Sequence, residues 1–282
     1  MAATIRPMTA ADLEPAVATV LDGGWGDRRT WFEFALSHAA CDPLVAVDGD
    51  AIVGTGAGTR NGPAGWVGTI FVAPDRRREG IGIALSAAVC DRLEAAGCRT
   101  LLLVATEQGR PVYARLGFEV ETWYRILEHD GMGRQAGSSG ADADEAVGPF
   151  GPADVAEAAA LDRSATGEDR SHLLAAFASL PGGLTLRAAG SLAGFVVRAP
   201  WGGGATVART PADAERLLAA RLAAAEPGHA VRAGLLDPNE AGLRRLVELG
   251  WREAFRVPRM RRGAPLDWRP DRIWGQFNFA LG

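Results

Sequence analysis

VAPDRRREGIGIAL, residues 72–85, is the stretch that decides how this chain reads. It joins the end of an apolar strand to three consecutive arginines, two glycines one residue apart and an apolar run of helical period. A strand that turns sharply into a helix leaves several backbone N–H groups unpaired at the helix start. Glycines at 80 and 82 let that backbone approach a bulky anion with no Cβ in the way, and the helix dipole favours negative charge there. Arg76, Arg77 and Arg78 would add positive charge, while Glu79 opposes it and is expected to point to solvent. A dinucleotide fingerprint would need a third glycine where Leu85 stands and would sit on a first strand–helix unit, whereas three strands are expected before this one. The lysine-dependent phosphate loop is excluded, because all 30 basic residues are arginine. A plain turn into a helix remains the alternative.

Upstream, a short strand around Thr4–Arg6 precedes a helix opened by Thr9 with Asp12 three residues on, a capping pattern. Leu13, Val17, Val20 and Leu21 share one face of that helix. Strands over 44–47 and 51–58 are joined by Asp48-Gly49-Asp50, a hairpin signal, and a third strand, WVGTIFV (66–72), enters the quoted stretch. Downstream, a helix runs to Gly97, LLLVA (101–105) reads as a buried strand, and a last helix closes in RLGF (115–118). His129–Gly148 is rich in Gly, Ser, Ala and Asp without apolar periodicity and reads as a linker.

Beyond it the same order recurs. A helix begins near Pro152, a hairpin spans 184–197, and ATVA (205–208) leads to a helix over 212–225. A strand near 231–236 and a helix closing in ELGW (248–251) complete the copy. Gly250 follows Gly117 by 133 positions (250 − 117) and Gly194 follows Gly54 by 140 (194 − 54), so seven residues are lost between these anchors in the second copy, a span that includes the quoted stretch.

Arg77-Arg78-Glu79-Gly80-Ile81-Gly82 resembles the Arg/Gln-x-x-Gly-x-Gly/Ala signature of the GNAT N-acetyltransferases, and PVYARLGF (111–118) is similar to that family's closing Tyr-x-x-x-Gly-Phe. The resemblance covers the first half, and the second half looks like the degenerate acetyltransferase-like domain of some tandem members. The fold class it implies is α/β (α+β): two tandem domains, each a mixed, mostly antiparallel sheet flanked by helices, at 1–128 and 149–282 with a linker at 129–148. It implies acetyl transfer from acetyl-CoA, as co-substrate, to a primary amine by direct attack. Ile70, Phe71 and Val72 would hold the pantetheine arm like an added strand, one of their N–H groups stabilising the oxyanion. Arg77, Arg78, Glu79, Gly80, Ile81, Gly82 and Ile83 would seat the phosphates, and Tyr113 would be the general acid.

The second copy has Leu246 at the Tyr113 offset, and it reads VARTPADAERL, with Pro211, where the glycines would stand. One CoA site, in the first half, is the expectation. Asn239 suits the family's common asparagine position, where the first half has Thr106. The family often places a carboxylate on the strand before the motif, but WVGTIFV has none. Asp22, Asp27 and Glu33, interleaved with Trp25, Trp31 and Phe34 and followed by His38, are candidates for a base or for an acceptor wall, and equally for core and solvated surface. The segment 266–282, with Trp268, Ile273, Trp274, Phe277 and Phe279, is too apolar to leave in water. It either packs between domains or on a sheet edge, or closes part of the acceptor pocket.

Composition fits a soluble globular protein, with 48% hydrophobic and 23% charged residues. A net charge of −4 disfavours nucleic acid, and no apolar stretch approaches a membrane span. Three cysteines argue for a reducing compartment, hence the cytoplasm, and no metal-ligand spacing stands out. The acceptor amine and the oligomeric state stay open. A non-catalytic acyl-CoA-binding module and an interaction scaffold are the rival functions.

Overall fold

The computed structural model describes residues 3–131, 144–226 and 228–282. Residues 132–143, most of the expected linker, lie outside them. The chain forms two compact units. Unit 1 comprises Met1–Glu121, Arg259–Pro265 and Phe279–Gly282, and unit 2 comprises Thr122–Pro258 and Leu266–Asn278. Neither unit is one continuous stretch of sequence.

In chain order the first half contains β1 (Thr4–Pro7), α1 (Leu13–Asp22), α2 (Arg29–Ser37), β2 (Cys41–Asp48), β3 (Ala51–Asn61), β4 (Ala64–Val72), α3 (Ile81–Ala95), β5 (Thr100–Val104), α4 (Arg110–Arg115) and β6 (Glu119–Asp130). The expected capping at Thr9 forms, Asp12 accepting from the Thr9 N–H at 2.8 Å and from its hydroxyl at 2.7 Å. Arg6 donates to the same carboxylate through both guanidinium nitrogens at 2.7 Å, which holds Asp12 far below the usual carboxylate range. Strands β1 to β4 are antiparallel neighbours, whereas β4 and β5 are parallel. On its other side β5 pairs antiparallel with residues 259–263 from the far end of the chain. Helix α3 covers one face, Leu85, Val89 and Leu93 packing onto Gly54, Gly56 and Gly58 of β3. Phe71 lies on the other face beneath Gly23 and Trp25, in the loop between α1 and α2.

The second half adds β7 (Val147–Pro149), α5 (Val155–Thr166), α6 (Ser171–Phe177), β8 (Leu184–Ala188), β9 (Ser191–Arg198), β10 (Gly204–Ala208), α7 (Pro211–Ala224), β11 (Ala230–Leu236), α8 (Glu240–Glu248), β12 (Arg252–Gly263) and β13 (Ile273–Gly275). Unit 2 holds a five-stranded sheet ordered β13-β10-β9-β8-β7. Strand β11 pairs antiparallel with residues 124–130 of β6, a strand that begins in the first half. Each unit therefore borrows a strand from the opposite half of the sequence. Strands β6 and β12, which carry this exchange, are long, and their pairing is non-local, so hydrophobic period alone did not reveal them.

Candidate functional site

The site begins with a strand that loses its neighbour. Strand β4 pairs with β3 up to Val72, opposite Gly54. Its ladder with β5 contains only Ala64, Gly65 and Trp66. Beyond Trp66 the two parallel strands diverge, so residues 67–72 present one edge of their backbone to an open wedge. A register shift lies opposite Thr55–Ala57, and Thr69 there has φ of 54°. For a β-branched residue this is a strained conformation, of the kind that gathers at functional sites. The Thr55 hydroxyl donates to the Thr69 carbonyl at 3.1 Å and holds the bulge in place.

At the far end of the exposed edge the chain turns through a short 3-10 segment, Pro74–Arg76, into α3. Gly80, the residue before the helix, has φ of 85°, and a Cβ built there meets no atom within 4 Å. Arg78 is also left-handed, with φ of 69°. Two left-handed residues flanking a helix start form a concave run of N–H groups suited to an anion. The three arginines are not equivalent. Arg76 is tied to Asp48 at 2.8 Å and to Glu79 at 2.9 Å. Glu79 faces solvent as expected, but its charge is held by Arg76, which lowers its pKa. Arg77 donates from Nε to the Val72 carbonyl at 3.3 Å, and Arg78 is exposed. Ile81 is a core residue, and Phe71 is buried. Both can serve a ligand only through their backbone, as can Ile70, whose Cδ1 lies under α3 against Gly56.

Tyr113 sits on α4 in the core, in the same buried cluster as Cys90 of α3. On α3, Ser86 donates to the Gly82 carbonyl at 2.8 Å, close to the helix start. Burial pushes the Tyr113 phenol up to about 12. Asp22, Asp27 and Glu33 are all exposed, and Asp27 accepts from the Arg29 N–H at 2.7 Å. His38 stacks on Phe34 with ring centroids 4.6 Å apart, and burial lowers its pKa. Among the described residues no group of three His, Cys, Asp or Glu could hold a metal.

Unit 2 repeats the scaffold and changes the site. Gly194 faces Ala208 as Gly54 faces Val72, but the β9–β10 ladder runs without a register shift. Between β4 and α3 lie eight residues (73–80), whereas between β10 and α7 lie only Arg209 and Thr210. Thr210 caps α7 by accepting from the Asp213 N–H, and Pro211 opens that helix. The edge of β10 that corresponds to the open edge of β4 is taken by the chain itself, β13 pairing antiparallel with Thr206 opposite Gly275 and Val207 opposite Ile273. Trp274 between them is fully buried. The sheet-edge alternative for the aromatic tail is thus realised at 273–275. Asn239 caps α8 by accepting from the Gly242 N–H at 3.1 Å, as Thr106 accepts from the Gly109 N–H at 3.1 Å beside α4.

Comparison with known proteins meets this architecture at both copies. Residues 10–118 match the family model for the acetyltransferase (GNAT) family, and residues 158–275 match a second model, an acetyltransferase (GNAT) domain. The chain belongs to the GNAT acetyltransferases. Acyl transfer is the general chemistry of this family, and the mixed α/β fold in two tandem GNAT domains agrees with the sequence reading. A Pyrococcus horikoshii protein assigned to the acetyltransferases superposes over 100% of this GNAT chain and 96% of its own length, with a TM-score of 0.80 at 23% identity. A GCN5-related N-acetyltransferase from Kribbella flavida covers 93% of the chain and 72% of its own length (TM-score 0.60, 18% identity). One from Anabaena variabilis covers 92% and 72% (TM-score 0.60, 12% identity). At these identities the likeness is one of fold. No curated protein matches the chain in sequence.

Proposed function

We propose that unit 1 is an acetyl-CoA-dependent N-acetyltransferase acting on a primary amine and that it carries one CoA site per chain. The observation that supports this most is the open backbone edge of β4 over 67–72, leading into the left-handed turn at Arg78–Gly80. An extended pantetheine arm offers amide groups that pair with such an edge as a strand would. Its pyrophosphate meets the N–H groups at the start of α3, with Arg77 and Arg78 nearest and Arg76 already committed to Asp48 and Glu79.

When bound, acetyl-CoA supplies an activated thioester. At the bulge of Thr69, one backbone N–H would stabilise the oxyanion. Tyr113 remains protonated at neutral pH. Passing its proton fully to a thiolate of ordinary pKa near 8.5 from a phenol near 12 costs about 5 kcal/mol. Tyr113 therefore acts as a hydrogen-bond donor to the departing sulfur, and solvent completes the protonation. With no carboxylate on β4, the amine loses its proton through water.

Unit 2 serves as scaffold, its corresponding edge closed by β13 and its turn too short for an anion seat. Three free cysteines suit a reducing cytoplasm, and no helix among the described residues is long and apolar enough to cross a membrane. Calorimetry with CoA tests the site count, one equivalent being expected and two refuting it. Thiol release from acetyl-CoA with an amine panel tests the activity. CoA binding without release in the presence of any amine would favour a non-catalytic acyl-CoA-binding module, the reading that the missing β4 carboxylate supports.

A further inference from the structure

Residues Phe279–Gly282 belong to unit 1, and they lie against the part of β4 where the wedge opens. A Cβ built on Gly68 would stand 2.2 Å from the Ala280 Cβ and 2.6 Å from its Cα. Only a glycine at 68 lets the segment come this close. The Asn61 side-chain amide donates to the Leu281 carbonyl at 2.8 Å, with both residues fully buried. Gly282 packs on the Trp66 indole. Gly68 is two residues past Trp66, the last partner in the β4–β5 ladder, and it adjoins the bulge at Thr69.

The face matters as much as the position. Gly68 pairs with Ala57 and Phe71 pairs with Thr55, so both project to the same side of the sheet. That side is opposite α3, which fills the other face over Gly54, Gly56, Gly58 and Gly65. An amine can therefore reach the wedge only from the side of Gly68 and Phe71. On that side Phe71 lies under Gly23 and Trp25, and Gly68 lies under Ala280. The two walls are three residues of strand apart, about 10 Å. Trp25, Phe71 and Ala280 carry no charge, and Thr55 is engaged with the Thr69 carbonyl.

We propose that Phe279–Leu281 forms the inner wall of the acceptor pocket and that Ala280 sets the size of the amine admitted, selecting a compact primary amine with an apolar body. The proposal rests on the acetyl-CoA reading of the β4 edge. With the phosphates at Gly80, the reactive end of the arm lies toward the closed end of the wedge, beside Gly68 and Ala280. Ala280 is thus a positioning and size-selecting residue.

Two measurements on the full chain test it. In the first, Ala280→Cys is incubated with CoA disulfide. The introduced thiolate attacks one sulfur, a protein–CoA mixed disulfide forms and CoA thiol leaves. Mass spectrometry is expected to find the adduct on the peptide containing residue 280, with none on that peptide from the wild-type chain. In the second, Ala280→Gly and Ala280→Val are compared with wild type on primary amines graded in bulk. The kcat/KM ratio of bulky to small amine is expected to rise at least tenfold in Ala280→Gly and to fall at least tenfold in Ala280→Val, with CoA affinity unchanged. Should Ala280→Val fail to fold, Ala280→Gly and the disulfide result stand alone. CoA binding in calorimetry with neither adduct nor altered ratio overturns the wall and leaves the acetyltransferase reading intact. Absence of CoA binding in the wild-type chain overturns both.

Discussion

Replacing Gly80 by alanine separates two roles of one residue. At φ of 85° an L-residue bears the left-handed penalty, about 1–2 kcal/mol. No steric cost adds to it, because a Cβ there meets nothing within 4 Å. Thermal unfolding followed by circular dichroism should show a lower Tm, by about 2–4 °C for each kcal/mol. The proposed phosphate seat uses the same backbone, so a methyl group there should crowd the anion, and calorimetry should show CoA affinity falling at least about tenfold, or 1.4 kcal/mol. Gly82→Ala is the internal contrast. Gly82 lies inside α3 with an ordinary 3.5 Å approach to Val72 Cγ2, and its φ is not left-handed. Alanine there should stabilise by about 0.5–1 kcal/mol, with CoA affinity within about threefold, under 1 kcal/mol. Unchanged CoA affinity in Gly80→Ala would refute the phosphate seat. Equal loss of stability in both variants would refute the backbone argument.

Tyr113→Phe should keep CoA affinity and lower kcat by about 100–1,000-fold, in line with loss of one preorganised hydrogen-bond donor; unchanged turnover would retire the assignment. Alkaline pH should destabilise unit 1 between about pH 9 and 12. Burial raises Cys41 and Cys90 from 9.0 to about 11 and Tyr113 from 10.0 to about 12. Raised folded-state values mean that the native state holds protons which the unfolded chain has released. Stability is therefore whole below pH 9 and lost as pH rises through these values, by up to about 1.4 kcal/mol per pH unit for each group. Urea melts across this range check it, and Tyr113→Phe should flatten the upper part. Trp274→Ala, at a fully buried site in β13, should destabilise unit 2 by about 3–5 kcal/mol, and calorimetry should still give one CoA equivalent if β10 alone cannot hold the cofactor arm.

Much of the fold was open to inspection in the sequence. Strands over 44–47, 51–58, 66–72 and 101–105 and the helix after Gly80 follow from period, hairpin residues and helix-start chemistry, and they lie where expected. The turn at Gly80 could be read because φ preference is a local property of a residue. Other features were hidden for physical reasons. That Arg76 is tied to Asp48 depends on a strand–strand approach across 28 positions (76 − 48). The bulge at Thr69 leaves no compositional trace.

The elements, the repeat and the left-handed turn at Gly80 depend on neighbours a few residues apart and are legible in the residues alone. Which strands pair is settled by the tertiary structure. It gave residues 259–263 to β5 and 124–130 to β11, laid β13 along β10, and brought Ala280 onto Gly68. Backbone hydrogen bonds are the same for every residue, so a strand's partner is chosen by burial and loop closure over the whole chain rather than by its own side chains. In one copy of the repeat that choice leaves an edge open; in the other, the chain closes the edge itself.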